Sequence, residues 1–263
     1  MGKILTLVVA VLVILVGSAY LVTKSEPELE NDSAIIEEEA EAGTPVTGPI
    51  ERREIPPPEP EVIENYALSG ELPSLDQSDE ALFNHLRLLI TPIRLGLLNE
   101  DQFIRKFVLQ VDNASRGELI YQHSPLVAPE SGIEVAEGTE TEFQIDQQGY
   151  ARYDAYADLA EAVNTSLLVA YYQFYEPLLD EAYTELGYPE GQFRTALIQA
   201  IDQVLATPIV EGDIALDQPE LNYLFNDSAL ESLNMLQKQM LRMGPENTQR
   251  IQLVLQQFKA RIQ

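Results

Sequence analysis

TSLLVAYYQFYEPLLDEAYTELG, residues 165–187, decides the fold class. Leu167, Tyr171, Phe174, Leu178 and Ala182 recur at spacings of three and four, and Leu168, Tyr172, Tyr175, Leu179 and Tyr183 run beside them. Two adjacent apolar lines make a stripe too wide for a surface helix, so this segment is a helix covered on most sides. Ala160 and Val163 continue the first line upstream, which predicts a central helix over residues 156–186. Pro177 lies inside it and should kink or divide it. Gly187 suits a left-handed cap, with Pro189 just beyond.

Other helical periods flank this centre. Ser78 is placed to cap a helix with Asp79 and Glu80 in its first turn, Leu82, Leu86 and Leu89 on one face, and Pro92 at its end. Asn99 and Gln102 have the spacing of a capping box before Phe103, Phe107 and Val111, with Asn113 as the closing residue. Pro and Gly then punctuate residues 116–149, where GIEV and TEFQI suggest one or two short strands. Phe193, Leu197, Ile201 and Val204 mark a further helix, and GDIALDQPELNYLF (212–225) suggests a small hairpin. Ser228 and Glu231 have capping-box spacing before Leu230, Leu233, Leu236, Met240 and Met243. After Gly244-Pro245 a last helix carries Ile251, Val254, Phe258 and Ile262. The expectation is a mainly α-helical domain over residues 72–263, with about six helices and minor β.

The chain before this domain has a different character. Residues 4–22 are uncharged and flanked by Lys3 and Lys24, long enough to cross a hydrocarbon core of ~30 Å. Gly17-Ser18-Ala19 would allow signal cleavage, but the apolar run continues through Val22, which favours an uncleaved anchor over residues 1–24. Only Lys3 and the terminal amine precede the span, whereas Glu26, Glu28 and Glu30 follow Lys24, so the amino terminus is expected in the cytoplasm and the rest outside it. Residues 25–71 are acidic and Pro-rich. Between residues 25 and 65 there are 13 acidic and two basic side chains, a composition expected to stay disordered and to act as a spacer.

Composition removes whole classes of chemistry. With a net charge of −27, the chain lacks the clustered cations that nucleic acid needs. It has no cysteine, so thiolate catalysis, cysteine metal sites and disulfides are excluded. His85 and His123 are its only histidines, one in a helical run and one in a polar loop, and neither reads as a catalytic base or metal ligand. No phosphate loop, dinucleotide fingerprint or calcium-hand loop is present, so no cofactor is implied.

Three features could carry chemistry. Glu176 and Asp180 are one turn apart, a spacing that suits a solvated face better than a catalytic pair from separate elements. GYARYDAY (149–156) concentrates Arg152, Tyr153 and Asp154 among tyrosines that could cap a core or grip a ligand. QMLRMGPEN (239–247) ends one helix and begins another. There, Lys238 and Arg242 meet the C-terminal dipole, while the N–H groups near Asn247 could receive an anion. Residues 228–263 hold five basic side chains against two acids, a reversal of the overall balance. The candidate binding residues are therefore Arg152, Tyr153, Lys238, Arg242 and Asn247.

Several phrases, LPSLDQSDE (72–80), FVLQVDNASRG (107–117), GYARYDAY, YEPLLDEAYTELGYP (175–189) and LESLNMLQKQMLRMGPEN (230–247), together resemble the bacterial family known as domain of unknown function 3014. The resemblance implies an N-terminal membrane segment, a variable stalk and a periplasmic domain, and it transfers no catalytic residue. The expected function is a binding module tethered to the inner membrane by its N-terminal helix, with an envelope protein or cell-wall component as partner. The alternative is a glycan- or peptide-acting enzyme using acids such as Asp154 or Glu176.

Overall fold

Leu82, Phe83 and Leu86 are fully withdrawn from solvent on one side of a helix, α1 (Ser78–Arg87). In the structure, a computed structural model, the described residues are Leu68 and 70–263, apart from 130–134, 138–142, 146, 163 and 218–222. The expected membrane segment and nearly all of the stalk lie outside them. No helix among the described residues is long and apolar enough to cross a membrane.

Ten α-helices follow in order among the described residues: α1, α2 (Pro92–Leu95), α3 (Phe103–Ser115), α4 (Gln147–Ala151), α5 (Asp154–Glu161), α6 (Thr165–Glu185), α7 (Phe193–Leu205), α8 (Ser228–Glu231), α9 (Met235–Arg242) and α10 (Pro245–Ile262). The expected six become ten because two segments divide and two short helices, α2 and α4, are added. The central helix divides between Glu161 and Thr165, where Asn164 accepts from Leu167 N at 2.9 Å and opens α6. It does not divide at Pro177. Gln173, whose carbonyl loses its partner there, is exposed, so solvent can take the missing bond and α6 continues.

Several caps also differ from expectation. Ser78 is not a cap: its hydroxyl donates to Leu75 O at 2.7 Å. α1 ends at Arg87, and Pro92 opens α2 instead of closing α1. Asn99 and Gln102 form no capping box. Gln102 is left-handed, and the head of α3 is capped from outside by Asp79, which accepts from Gln102 N at 2.7 Å and Phe103 N at 2.9 Å. α3 runs past Asn113, whose amide donates to Leu109 O, and the left-handed turn falls on Gly117. Ser228 is likewise inside α8, which Asp227 caps. The reciprocal box forms later, between Asn234 and Gln237 at the head of α9. Side chains such as Ser232 and Asn234 favour caps over helix interiors, which is why one expected helix becomes two.

The core forms where α3 packs on α6 and α7, and α10 packs on α5, α6 and α7. Phe83 meets Phe103 edge-on, Tyr171 stacks on Tyr175, and Tyr172 meets Phe258. Each such buried side chain contributes about 1.5–3 kcal/mol by leaving water. The strands β1 (Val135–Glu137), β2 (Phe143–Ile145), β3 (Ala215–Asp217) and β4 (Leu224–Phe225) form one antiparallel sheet in that order. Leu216 sits in register with Phe143 on one side and Phe225 on the other. Ile145, Ile214, Leu216, Phe225, Leu230 and Leu241 make a second, smaller core beside the helical one. α9 lies between the two: its Leu236 and Met240, with Met243 just after its end, enter the large core and Leu241 the small one.

Candidate functional site

Glu176 and Asp180 are both turned to the head of α7. Glu176 accepts from Arg194 at 2.6 Å and from Tyr172 Oη at 2.9 Å, and Asp180 accepts from Phe193 N at 3.3 Å. A carboxylate held this way fixes one helix against another.

Most of the buried tyrosines have settled partners. Tyr156 Oη donates to Val127 O at 2.7 Å, Tyr183 meets Asp112, and Tyr175 meets His85 Nδ1 at 3.1 Å. Desolvation pushes the Tyr156 and Tyr175 hydroxyls up to about 12, so they stay neutral. These rings are core, with their hydroxyls bonded at its edge.

The five sequence candidates separate into three groups. Lys238 bridges to Glu231 Oε1 at 2.5 Å. Burial would raise the Glu231 carboxyl, but the Lys238 ammonium and the Phe225 N–H outweigh it and hold it below the usual range. Asn247, 3% exposed, donates to Asp154 at 2.9 Å, Met243 O and Tyr150 O, and so ties the head of α10 to α5. That head borders a cleft of about 500 Å³ lined by Tyr150, Asp154, Glu211, Glu246 and Asn247. Three carboxylates there oppose the anion expected at this N-terminus.

Arg152, Tyr153 and Arg242 are brought together. Arg152 packs over the Tyr153 ring at 4.6 Å and donates from Nη2 to Tyr153 Oη at 2.9 Å. Gln239 Nε2 donates to the same oxygen at 3.3 Å, which joins α9 to the start of α5. The Arg242 guanidinium lies over the Phe225 ring at 5.2 Å, close enough to Arg152 and Glu231 to feel their charges, with Tyr121 and Tyr153 also near. Desolvation, with repulsion from Arg152 added, holds Arg242 below the ordinary arginine value.

The other basic residues of the last two helices are matched: Lys238 to Glu231, Arg250 to Asp158 and Glu161, Lys259 to Asp202, and Arg261 to Ser166. Among the described residues, Arg242 has no carboxylate within ion-pairing distance; its neighbour is an aromatic face. Gln239, Phe225 and Tyr121 were not singled out by sequence reasoning. Gln239 did leave a signal, since it stands three residues after Leu236 and four before Met243, a polar side chain on an apolar stripe.

A family model described as Protein of unknown function (DUF3014) matches residues 103–259. The chain belongs to this family. The DUF3014 match runs from the first residue of α3 to near the end of α10, and so includes both GYARYDAY and the Arg-Met-Gly-Pro-Glu-Asn run. LPSLDQSDE lies before it. No curated protein and no solved structure matches the chain. Among the described residues no group of His, Asp and Glu side chains is arranged to hold a metal ion.

Proposed function

We propose that this DUF3014 protein is a non-enzymatic binding module of the bacterial cell envelope. It is held in the inner membrane by residues 1–24, with its amino terminus cytoplasmic and its helical domain in the periplasm, and residues 25–71 set its distance from the bilayer. The flanking-charge pattern of the apolar segment and the composition of the stalk support the placement. The observation that carries the binding role is Arg242. It is a half-buried cation with no carboxylate in ion-pairing contact among the described residues, the Glu231 charge acting only from farther off, and it lies beside a second arginine in a chain of net charge −27. Burying a cation without its counter-charge costs stability, and an anionic group of a partner offsets that cost.

The test is crosslinking in cells of the full chain, with a photoreactive residue in place of the exposed Tyr121. An envelope component should be captured by the wild-type background and lost when Arg242→Leu is added. An identical pattern in both would overturn the assignment.

A specific observation favours one second reading. Asp154, Glu211 and Glu246 reach the cleft at the head of α10 from separate parts of the chain, as a hydrolase acting on a glycan or peptide would require. Its test is hydrolysis of cell-wall fragments by the full chain and by Asp154→Asn; release of product by the first and not the second would establish it.

A further inference from the structure

Gln239 is 1% exposed and stands one helical turn before Arg242 on α9, so the two side chains are neighbours. Its amide nitrogen is engaged by Tyr153 Oη, and its Oε1 has no hydrogen-bond partner. The same corner therefore offers one cation without an ion pair among the described residues, Arg242, and beside it a buried acceptor that lacks a donor. These features ask for different halves of one small group. The guanidinium takes an anion, and the amide oxygen takes an N–H next to it.

Building on the anion-binding role proposed above, we infer that this corner receives the C-terminal residue of a peptide. The free carboxylate lies on the Arg242 guanidinium, and the last backbone N–H donates to Gln239 Oε1. In any C-terminal residue one Cα joins the two groups, which places them on the order of 2.5 Å apart. Side chains at i and i+3 of a helix, about 5–6 Å apart at Cβ, can reach both. A phosphate or sulfate satisfies Arg242 but sets its own oxygens against the Gln239 oxygen, which still lacks a donor. The half-buried Arg152 and Arg242 and the exposed Tyr121 leave the corner open on one side for the rest of the peptide, while Tyr153, 0% exposed, closes the other.

The experiment is titration of the full-length chain in lipid nanodiscs with acetylated trialanine as the free acid, its C-terminal amide, acetate, galacturonate and inorganic phosphate. The free acid should bind at least tenfold more tightly than the amide, acetate or phosphate. Arg242→Lys should weaken it at least tenfold. Gln239→Leu should reduce it to the level of acetate while leaving acetate binding unchanged.

Equal binding of free acid and acetate would overturn the peptide inference and leave the anion role standing. Tighter binding of galacturonate would replace the peptide by a sugar acid, and tighter binding of phosphate would exclude a C-terminal residue. Binding no stronger than that of Arg242→Leu for every anion would overturn both proposals. Should Gln239→Leu fail to fold, the comparison of acid, amide and acetate on the wild-type chain decides by itself.

Discussion

A Cβ added to Gly244 would lie 2.6 Å from Cγ of Tyr150. Gly244 also has φ +85, a backbone region that side chains other than glycine rarely adopt. The turn between α9 and α10 therefore needs glycine twice over, once for its backbone and once for the ring packed on it.

Gly244→Ala should thus cost about 2–4 kcal/mol, combining backbone strain with overpacking. Thermal unfolding checks it, with an expected fall in Tm of about 5–15 °C for a domain of this size. Adding Tyr150→Ala removes the ring atoms at 2.6 and 2.9 Å but leaves its Cβ at 3.0 Å and the strain, so the double mutant should be more stable than the sum of the single losses. Strict additivity would show that the ring plays no part.

Asp79 reaches 24 residues along the chain to receive the Phe103 N–H, and so fastens α1 to the head of α3. Asp79→Ala should cost about 1–2 kcal/mol, as loss of a helix cap does. Asp79→Asn keeps an acceptor oxygen and should recover most of it. Chemical denaturation of the three proteins separates them.

Arg242 should behave unlike a structural arginine. Its desolvation is matched by no carboxylate in ion-pairing contact among the described residues, only by the more distant charge of Glu231 and by an aromatic face worth about 0.5–2 kcal/mol. Arg242→Leu should leave Tm unchanged or raised, and should remove ligand binding. A loss above about 2 kcal/mol would make the arginine a structural support and remove the reason to place a ligand there.

Acid should loosen the α5–α10 contact. The hydrogen bond from Arg250, helped by its charge and that of Arg94, holds the Asp158 carboxyl below the usual carboxylate range in the folded state. In the unfolded chain Asp158 has an ordinary value, so the unfolded state binds the proton more tightly. The contribution is then present above pH ~4 and lost as pH falls below it. Arg250→Ala should lower Tm at pH 7 and make its fall between pH 5 and 3 shallower. The same pH slope in both proteins would dismiss the linkage.

The absence of cysteine allows a direct check of placement. A single Gln263→Cys should react with a membrane-impermeant maleimide in cells whose outer membrane alone is permeabilised. Labelling that requires lysis of the inner membrane would refute the periplasmic assignment.

The large elements were legible because their periodicity is local. The spacing of Phe193, Leu197, Ile201 and Val204 specifies α7 without reference to any other segment, and Gly187 and Gly244-Pro245 mark their boundaries unaided. Caps were read less well for the converse reason. Asp79 serves α3 from a different helix, and Glu231 turns from its own helix to Phe225 N. Such choices depend on which backbone donors arrive nearby, which spacing along one helix does not reveal.

The candidate site divides in the same way. The sequence by itself determined that QMLRMGPEN is a helix-to-helix corner, that its methionines belong to a buried stripe, and that cations collect near the end of an acidic chain. Only the tertiary structure decided which cation stays unmatched. Lys238, Arg250 and Lys259 find carboxylates because α5, α7 and α8 bring them within reach, whereas the small sheet brings Phe225 to Arg242. Electrostatic pairing acts over a few ångströms in space, and residues 152, 225 and 242 share that space only once the two cores have packed on either side of α9.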